Sequence, residues 1–185
     1  MRKMYLSAPL PFVGQKRMLA KEFMKVLEQY PDGTLFVDLF GGSGLLSHIT
    51  KSLKPHSTVI YNDFDNYRFR MKHIPQTNQL LADIREMVGN SVPRHKIIKG
   101  ELRERIFSRI EQEENSTGYV DFITLSSSIL FSMKYKLSVQ DMRKEAYTTI
   151  YARPATRNVR TISKGWKSYL AITRKYSSGI KIFLE

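Results

Sequence analysis

A short apolar run followed by a glycine-rich turn constrains the fold of this chain more than any other feature. Residues 35–46 read LFVDLFGGSGLL. An apolar run of this length beside a turn is typical of a strand buried on both faces of a parallel sheet. The glycines allow a sharp turn and close approach of a ligand, and the next helix points free N–H groups toward that turn. The stretch therefore predicts a strand, a ligand-binding turn and a helix.

Two classes of ligand fit such a turn. The dinucleotide pattern G-x-G-x-x-G would need a third glycine at position 47, where the chain has Ser47. A carboxylate at Asp38, three residues before the first glycine, suits a cationic ligand better than a pyrophosphate. S-adenosylmethionine (AdoMet) carries an ammonium and a sulfonium and no phosphate. The turn therefore favours AdoMet over a dinucleotide.

A second strand-like run ends in another acid. Residues 58–63 read TVIYND, and Asp63 lies 19 residues after Gly44. This is close to the ~20-residue distance at which an acid reaches ribose hydroxyls in nucleotide-binding folds. The alternative is a plain strand, turn and helix with surface acids. The turn, Asp38 and Asp63 together favour the binding site.

The composition is that of a globular chain. The 185 residues are 42% hydrophobic, which predicts one domain with a sizeable core, with room for an inserted subdomain. No apolar run approaches the ~20 residues of a membrane span, so we expect no membrane association and a cytoplasmic location. The chain has no cysteine, and its four histidines show no ligand spacing, so we expect no metal site.

Positive charge is concentrated toward the end of the chain. The net charge is +13, and residues 134–185 hold 12 Lys and Arg against three Asp and Glu. Such an excess is typical of a protein that binds a polyanion, and nucleic acid is the partner that it predicts. The alternative is a solvated basic face that only aids solubility. Aromatic residues among these charges favour nucleic acid: Tyr135, Tyr147, Tyr151, Trp166, Tyr169 and Tyr176.

The order of predicted elements indicates an α/β protein. A β-α-β-α run up to Pro75 predicts a parallel sheet, and the strand signals then give way to helical ones. Besides the helix that follows the turn and ends near 53, helices are expected at 17–30, 65–74, 78–88, 99–114, 120–135 and 163–176. Besides the strand in 35–46, strands are expected at 57–61, 147–152 and 179–185. Because the last strand has nothing after it to pack against, we expect the sequence to be incomplete at its C-terminus.

Three motifs resemble those of a known family. PFVGQK at 11–16, FVDLFGGSG at 36–44 and ND at 62–63 are similar to the opening motifs of Dam-type (alpha-class, D12) DNA adenine-N6 methyltransferases. The resemblance implies a Rossmann-like, AdoMet-dependent methyltransferase sheet with a mostly helical target-recognition insertion. It divides the chain into an AdoMet-binding part at 1–75, a helical, basic DNA-binding region at 76–165, and a truncated return to the sheet at 166–185.

The resemblance also implies functional residues. Those expected to bind AdoMet are Phe12, Gly14, Lys16, Asp38, Phe40, Gly41, Gly42, Gly44 and Asp63, with the last on the ribose. Basic residues expected to contact the phosphates of double-stranded DNA are Lys134, Arg153, Arg157 and Arg160. The expected reaction is methyl transfer to the N6 amino group of a flipped adenine in a specific DNA site.

One motif of the family is missing. The sequence contains no D-P-P-Y or N-P-P-Y tetrapeptide, which in the family holds the adenine amino group and stacks on the base. Asp121 and Asp141 lack the neighbours needed to replace it, so no catalytic residue is assigned. We expect a truncated, proteolysed or degenerate copy. The alternative is a non-catalytic nucleic-acid-binding module with the methyltransferase fold, while Ser47 and the basic charge disfavour an oxidoreductase.

Overall fold

The computed structural model describes residues 4–14, 16–89, 97–129 and 135–145, together with the backbone of 148 and 149. The chain divides into two compact units, one containing the described residues up to 71 and the other those from 72 onward. The elements of the first unit, after a 3-10 turn at Lys16–Leu19, are α1 (Ala20–Glu28), β1 (Leu35–Asp38), α2 (Leu45–Leu53), β2 (Thr58–Tyr61) and α3 (Tyr67–Lys72, which ends at the boundary). Those of the second are α4 (Ile74–Val88), β3 (Ile97–Ile98), α5 (Gly100–Thr117), α6 (Phe122–Ile129), α7 (Val139–Arg143) and β4 (Thr148–Thr149).

The first unit contains the predicted parallel strand pair. β1 and β2 run parallel, with Leu35 opposite Thr58 and Asp38 opposite Tyr61. Helices α1 and α2 cover one face of the pair, where Ala20, Leu27, Leu45 and Ile49 form a buried cluster that packs against Phe36. Both strands therefore end at the same edge, and the loops that follow them lie side by side there.

The expectation that the first strand is buried on both faces differs from the structure. Leu35 is 59% exposed and Val37 is 54% exposed. The reason is that the described helices cover only the face that carries Phe36. Within the described residues, the apolar side chains of this run therefore pack against helices on one face of the sheet only.

The second unit is built from helices α4 to α7 around its own core. The buried residues of this core are Leu80, Leu81, Ile84, Val88, Ile98, Ile106, Phe107, Ile110, Val120, Phe122, Leu125, Ile129, Val139 and Met142. The surface of the unit carries an ion-pair cluster in which Arg109 Nη2 lies 2.7 Å from Asp83 and 2.9 Å from Glu113. Two short strands, β3 and β4, pair antiparallel beside the helices.

One predicted helix boundary of this region differs in the structure, and two predicted elements are described only in part. Pro75, expected to end a helix, instead occupies the first turn of α4, where its missing N–H costs no hydrogen bond. The helix expected at 120–135 covers Phe122–Ile129, and residues 130–134 lie outside the described part. The strand expected at 147–152 is described only at Thr148–Thr149. The expected helix at 163–176 and strand at 179–185 lie outside the described residues.

Asp121 and Asp141 both have structural partners. The two oxygens of Asp121 accept hydrogen bonds from the backbone N–H of Thr124 at 3.1 Å and from its hydroxyl at 2.8 Å, which fixes the start of α6. Asp141 pairs with Lys144 at 2.8 Å on α7. These contacts agree with the interpretation that neither acid replaces the missing tetrapeptide.

Candidate functional site

A cavity of about 420 Å³ opens at the carboxyl edge of the strand pair. Its volume falls in the range of about 300–1,000 Å³ that is typical of small-molecule sites. Its wall is formed by the loops after β1 and β2 and by the N-terminal segment: Phe12, Gly14, Lys16, Leu39, Phe40, Gly41, Gly42, Ser43, Leu45, Asn62, Phe64 and Asp65. This edge is where ligands bind in open parallel sheets.

The glycine turn is shaped by two aromatic rings. A Cβ added at Gly41 would lie 2.2 Å from the ring of Tyr61, so only glycine fits against that ring. Gly42 has a φ of +49°, and a Cβ there would lie 2.9 Å from the ring of Phe12. Gly44, with a φ of +69°, caps the start of α2. The first two glycines thus accommodate Tyr61 and Phe12, in addition to allowing the turn.

The positively charged side chain of Lys16 lies at one side of the cavity. The ammonium of Lys16 donates a hydrogen bond to the backbone carbonyl of Phe40 and lies 3.7 Å from the Asp38 carboxylate. Asp38 also accepts a hydrogen bond from the Ser47 hydroxyl at 2.7 Å. The Asp38 carboxylate is therefore already paired with two groups of the protein. Ser47, which takes the place of the third glycine of the dinucleotide pattern, holds this carboxylate.

The Asp63 carboxylate accepts hydrogen bonds from the start of α3, and its expected place on the ribose stays a prediction. Asp63 is 9% exposed and is not part of the cavity wall. Its Oδ1 accepts from the backbone N–H of Tyr67 at 2.7 Å, and its Oδ2 accepts from that of Arg68 at 3.1 Å. Because α3 begins at Tyr67, the carboxylate satisfies free N–H groups at the start of that helix.

Asn62, Phe64 and Asp65 form the wall on the β2 side. The Asn62 amide donates to the backbone carbonyl of Leu39 at 3.0 Å and joins the two loops. The Phe64 side chain is 85% exposed, which leaves its ring available to a ligand. The sequence pattern did not single out these three residues as site residues. The run N-D-F-D contains two acids, and spacing alone does not indicate which of them lines the cavity.

Helix α3 holds the N-terminal segment at the cavity. The backbone N–H of Leu10 donates to the Tyr67 hydroxyl at 3.0 Å, and Arg70 donates to the carbonyl of Pro11 at 2.9 Å. The ring of Phe12 meets that of Tyr67 edge-on, with centroids 5.6 Å apart. Phe12 thereby reaches the glycine turn, which explains why the two motifs meet although 28 residues separate Phe12 from Phe40.

Six of the nine predicted cofactor residues line the cavity, namely Phe12, Gly14, Lys16, Phe40, Gly41 and Gly42. Asp38, Gly44 and Asp63 are not among the described lining residues. The predicted DNA contacts Lys134, Arg153, Arg157 and Arg160 lie outside the described residues. Among the residues that the structure describes, no cluster of three metal-ligating side chains occurs, and no helix is long and apolar enough to cross a membrane.

Comparison with known proteins identifies the family. The sequence profile of the D12 class of N6 adenine-specific DNA methyltransferases matches residues 12–164. The chain belongs to this class. The predicted resemblance is thereby confirmed, and the chain is a member of a methyltransferase family.

A relative with a known sequence agrees with this family. The D12-class chain is 43% identical over 143 residues to a protein of Haemophilus influenzae named "Putative methyltransferase". The match covers 75% of this chain and 47% of the relative, so the chain spans about half the length of the relative. No solved structure matches the chain. The cavity described above lies within the part of the chain that the D12-class profile covers.

Proposed function

We propose that this D12-class chain binds AdoMet in the cavity and double-stranded DNA through its basic region. It would be the cofactor-binding and target-recognition portion of a DNA adenine-N6 methyltransferase. The observation that carries the proposal is the cavity itself, where the N-terminal motif, the glycine turn and the loop after β2 meet at the carboxyl edge of two parallel strands. The D12-class match supports a methyltransferase as the class of enzyme.

The groups on the wall fit the chemistry of AdoMet. The Lys16 ammonium suits the carboxylate of the methionine part, and the backbone carbonyls of the loop after β1 suit its ammonium. The rings of Phe12, Phe40 and Phe64 suit the adenine and the methylene groups. A pyrophosphate would need cationic and backbone N–H groups in larger number, and Lys16 is the one Lys or Arg among the lining residues that the structure describes.

AdoMet, when bound, supplies a methyl group on a sulfonium, which is already an activated donor. The contribution of this chain's residues is to hold and orient that donor and to exclude water around it. The sequence contains no D-P-P-Y motif that would hold the adenine amino group. Transfer to adenine is therefore proposed for the complete methyltransferase to which this portion corresponds.

Several finer features belong to the proposal. They are the Rossmann-like sheet, the helical insertion, the boundaries at 75 and 165, and the cytoplasmic location. The described parallel strand pair and the helical second unit support the first two. The charge of +13 supports DNA as the partner.

Isothermal titration of the full 185-residue chain with AdoMet tests the proposal. We expect micromolar binding. Lys16→Gln removes a charge-assisted hydrogen bond worth roughly 1.5–3 kcal/mol and should weaken binding about 10- to 100-fold. Lys21→Gln, an exposed change on α1, is the matched control and should bind as the wild type does. Unchanged affinity in Lys16→Gln would contradict the assigned role of the cation.

A second candidate is a non-catalytic nucleic-acid-binding module. The missing tetrapeptide favours it. The same titration separates the two, because a module that has lost the chemistry needs no AdoMet. DNA binding by a wild-type chain that gives no heat with AdoMet would favour this second candidate and overturn the first.

A further inference from the structure

We propose that Arg103 is a positioning residue for DNA binding, because it fixes the point at which the chain leaves α7 toward the predicted phosphate contacts. These contacts are Arg153, Arg157 and Arg160, which follow α7 in the sequence. The inference rests on the proposed function, since it takes these arginines to bind DNA. It gives Arg103 itself no contact with a phosphate.

Arg103 lies in the first turn of α5, and its guanidinium binds the end of α7. Its Nη2 group donates hydrogen bonds to the backbone carbonyls of Met142 at 3.4 Å, Arg143 at 3.1 Å and Glu145 at 2.7 Å. The last carbonyls of a helix have no N–H partner further along the helix, so a cationic side chain that reaches them fixes the helix end. Arg103 therefore holds the last two residues of α7 together with the backbone that follows them.

The position of the Arg103 guanidinium is itself fixed by the core of the second unit. Its Cζ lies 4.7 Å from the centroid of the Phe107 ring, which is fully buried. The Cζ of Arg143 on α7 lies 4.9 Å from the same ring, and Arg143 also pairs with Glu111 of α5 at 3.2 Å. Because both guanidinium groups pack on one buried ring, α7 is fixed to α5, and Arg103 directs its end.

The chain is held a second time shortly after α7. The backbone of β4 pairs antiparallel with that of β3, which lies directly before α5. Residues 97–103 therefore contact the chain at 142–145 and again at 148–149. Arg153 follows the second contact by four residues. The two contacts thus set where the chain enters the stretch that carries the three arginines.

The placement of these arginines matters because they are expected to contact phosphates together. Several contacts form at once only if the segment that carries them is held in one orientation, and ordering a loose segment on binding weakens affinity. Loss of the Arg103 hydrogen bonds should therefore affect more than one phosphate contact. Direct binding of a phosphate by Arg103 is disfavoured, since its side chain is 15% exposed and its Nη2 group is already bonded to carbonyls.

The test measures the salt dependence of DNA binding by the full chain, through the anisotropy of a labelled duplex between about 50 and 200 mM salt. Arg103→Gln should reduce the slope by about 1.8 to 2.7, which corresponds to two or three phosphate contacts. The matched control is Arg105→Gln, which removes the same charge from an exposed position two residues along α5 and should reduce the slope by about 0.9 at most. Binding is measured well below the thermal midpoint of every variant, so that unfolding does not contribute.

A combined variant shows whether Arg103 acts through the three arginines. Arg103→Gln, added to the replacement of Arg153, Arg157 and Arg160 by Gln, should leave the slope of that triple variant unchanged. If Arg103→Gln does not fold, Arg103→Lys takes its place, because it keeps the charge and loses the planar fork that reaches several carbonyls. Its slope should fall by about 0.9 although the net charge is unchanged, and in the combination it should again add nothing.

The outcomes separate this inference from the proposed function. Equal slopes for Arg103→Gln and Arg105→Gln, or the wild-type slope in Arg103→Lys, would overturn the inference alone. So would a further reduction of about 0.9 in the combined variant, which would make Arg103 a phosphate contact, or a lower thermal midpoint of Arg103→Gln with the wild-type slope. A wild-type chain that does not bind the duplex, or a triple variant with the wild-type slope, would overturn the proposed DNA contacts, and the inference with them.

Discussion

His48 shows how burial sets the charge of a single residue in the first unit. It lies on α2 with 2% of its surface exposed, and its Nε2 accepts a hydrogen bond from the backbone N–H of Tyr5 at 3.1 Å. Burial lowers the pKa of the imidazole from 6.5 to about 4, because the charged form loses its hydration. The residue is therefore neutral at pH 7, which the sequence did not indicate.

The pKa of His48 predicts a pH dependence of stability. Between the unfolded value of 6.5 and the folded value of about 4, the unfolded chain binds the proton and the folded chain does not. Stability from this residue is thus complete above pH 6.5 and is lost as the pH falls toward 4, by about 3 kcal/mol at most. Urea unfolding, followed through the amide NMR signals of α2 at pH 7 and pH 4.5, measures this loss.

The control for this prediction is His48→Gln, which keeps a hydrogen-bond acceptor and does not titrate. We expect its stability to fall less between pH 7 and pH 4.5 than that of the wild type. Aspartates such as Asp83, whose pKa is lowered by hydrogen bonds and by Arg109, contribute acid destabilisation in both proteins and cancel in the comparison. Equal losses in the two proteins would show that His48 does not govern this pH range.

At the level of elements, the loops after β1 and β2 can pack against each other because residue 41 is a glycine. A Cβ on Gly41 would lie 2.2 Å from the Tyr61 ring and 2.6 Å from the Asn62 carbonyl. The second neighbour is backbone, so it cannot move as a flexible side chain can. The two loops that form the wall therefore approach each other only because residue 41 has no side chain.

This contact predicts the effect of Gly41→Ala. The new methyl group should push the loop after β2 away from the turn, lower the thermal midpoint by several degrees, and weaken AdoMet binding at least tenfold. Gly33→Ala is the control, because its φ of +97° strains an alanine while nothing lies within 4 Å of the new Cβ. It should lose stability and keep the affinity for AdoMet. Wild-type affinity in Gly41→Ala would disprove the packing argument.

Local patterns predicted β1, β2, the glycine turn and the order of elements in the first unit well, because apolar runs and glycines act over a few residues. Local patterns do not predict which way a side chain points in the loop after a strand. Asp63 and Asp65 have similar sequence surroundings, and hydrogen bonds to the start of α3 decide which of them faces the cavity. The exposure of Leu35 and Val37 likewise depends on which helices cover the sheet, which a single run cannot indicate.

Pro75 shows that local patterns also leave a helix boundary undecided. The sequence pattern treats proline as a stop signal, and the structure uses it to start α4. Both uses follow from the missing N–H, which breaks a helix interior and is harmless in its first turn. The residues after the proline decide between the two uses, because α4 is 15 residues long and buries Leu80, Leu81 and Ile84. Packing in the second unit thus selects between two locally acceptable helix boundaries.

For the whole molecule, the uneven charge predicts how DNA binding responds to salt. Twelve of the 30 Lys and Arg lie in residues 134–185, which hold only three of the 17 acids. Neutralised phosphates release counterions, so the logarithm of the binding constant should fall linearly with the logarithm of the salt concentration, by about 0.9 per phosphate contact. Fluorescence anisotropy with a labelled duplex between about 50 and 200 mM salt measures this slope.

Two matched triple variants locate the contacts behind that slope. Replacement of Arg153, Arg157 and Arg160 by Gln should reduce it by about 2.7, since three phosphate contacts are lost. Replacement of Lys21, Lys54 and Lys72 by Gln removes the same charge from the region before residue 134 and should leave the slope nearly unchanged. Equal reductions in the two variants would mean that net charge, rather than the basic region, attracts the DNA. A flat salt response in the wild type would show that phosphate contacts do not contribute to DNA binding.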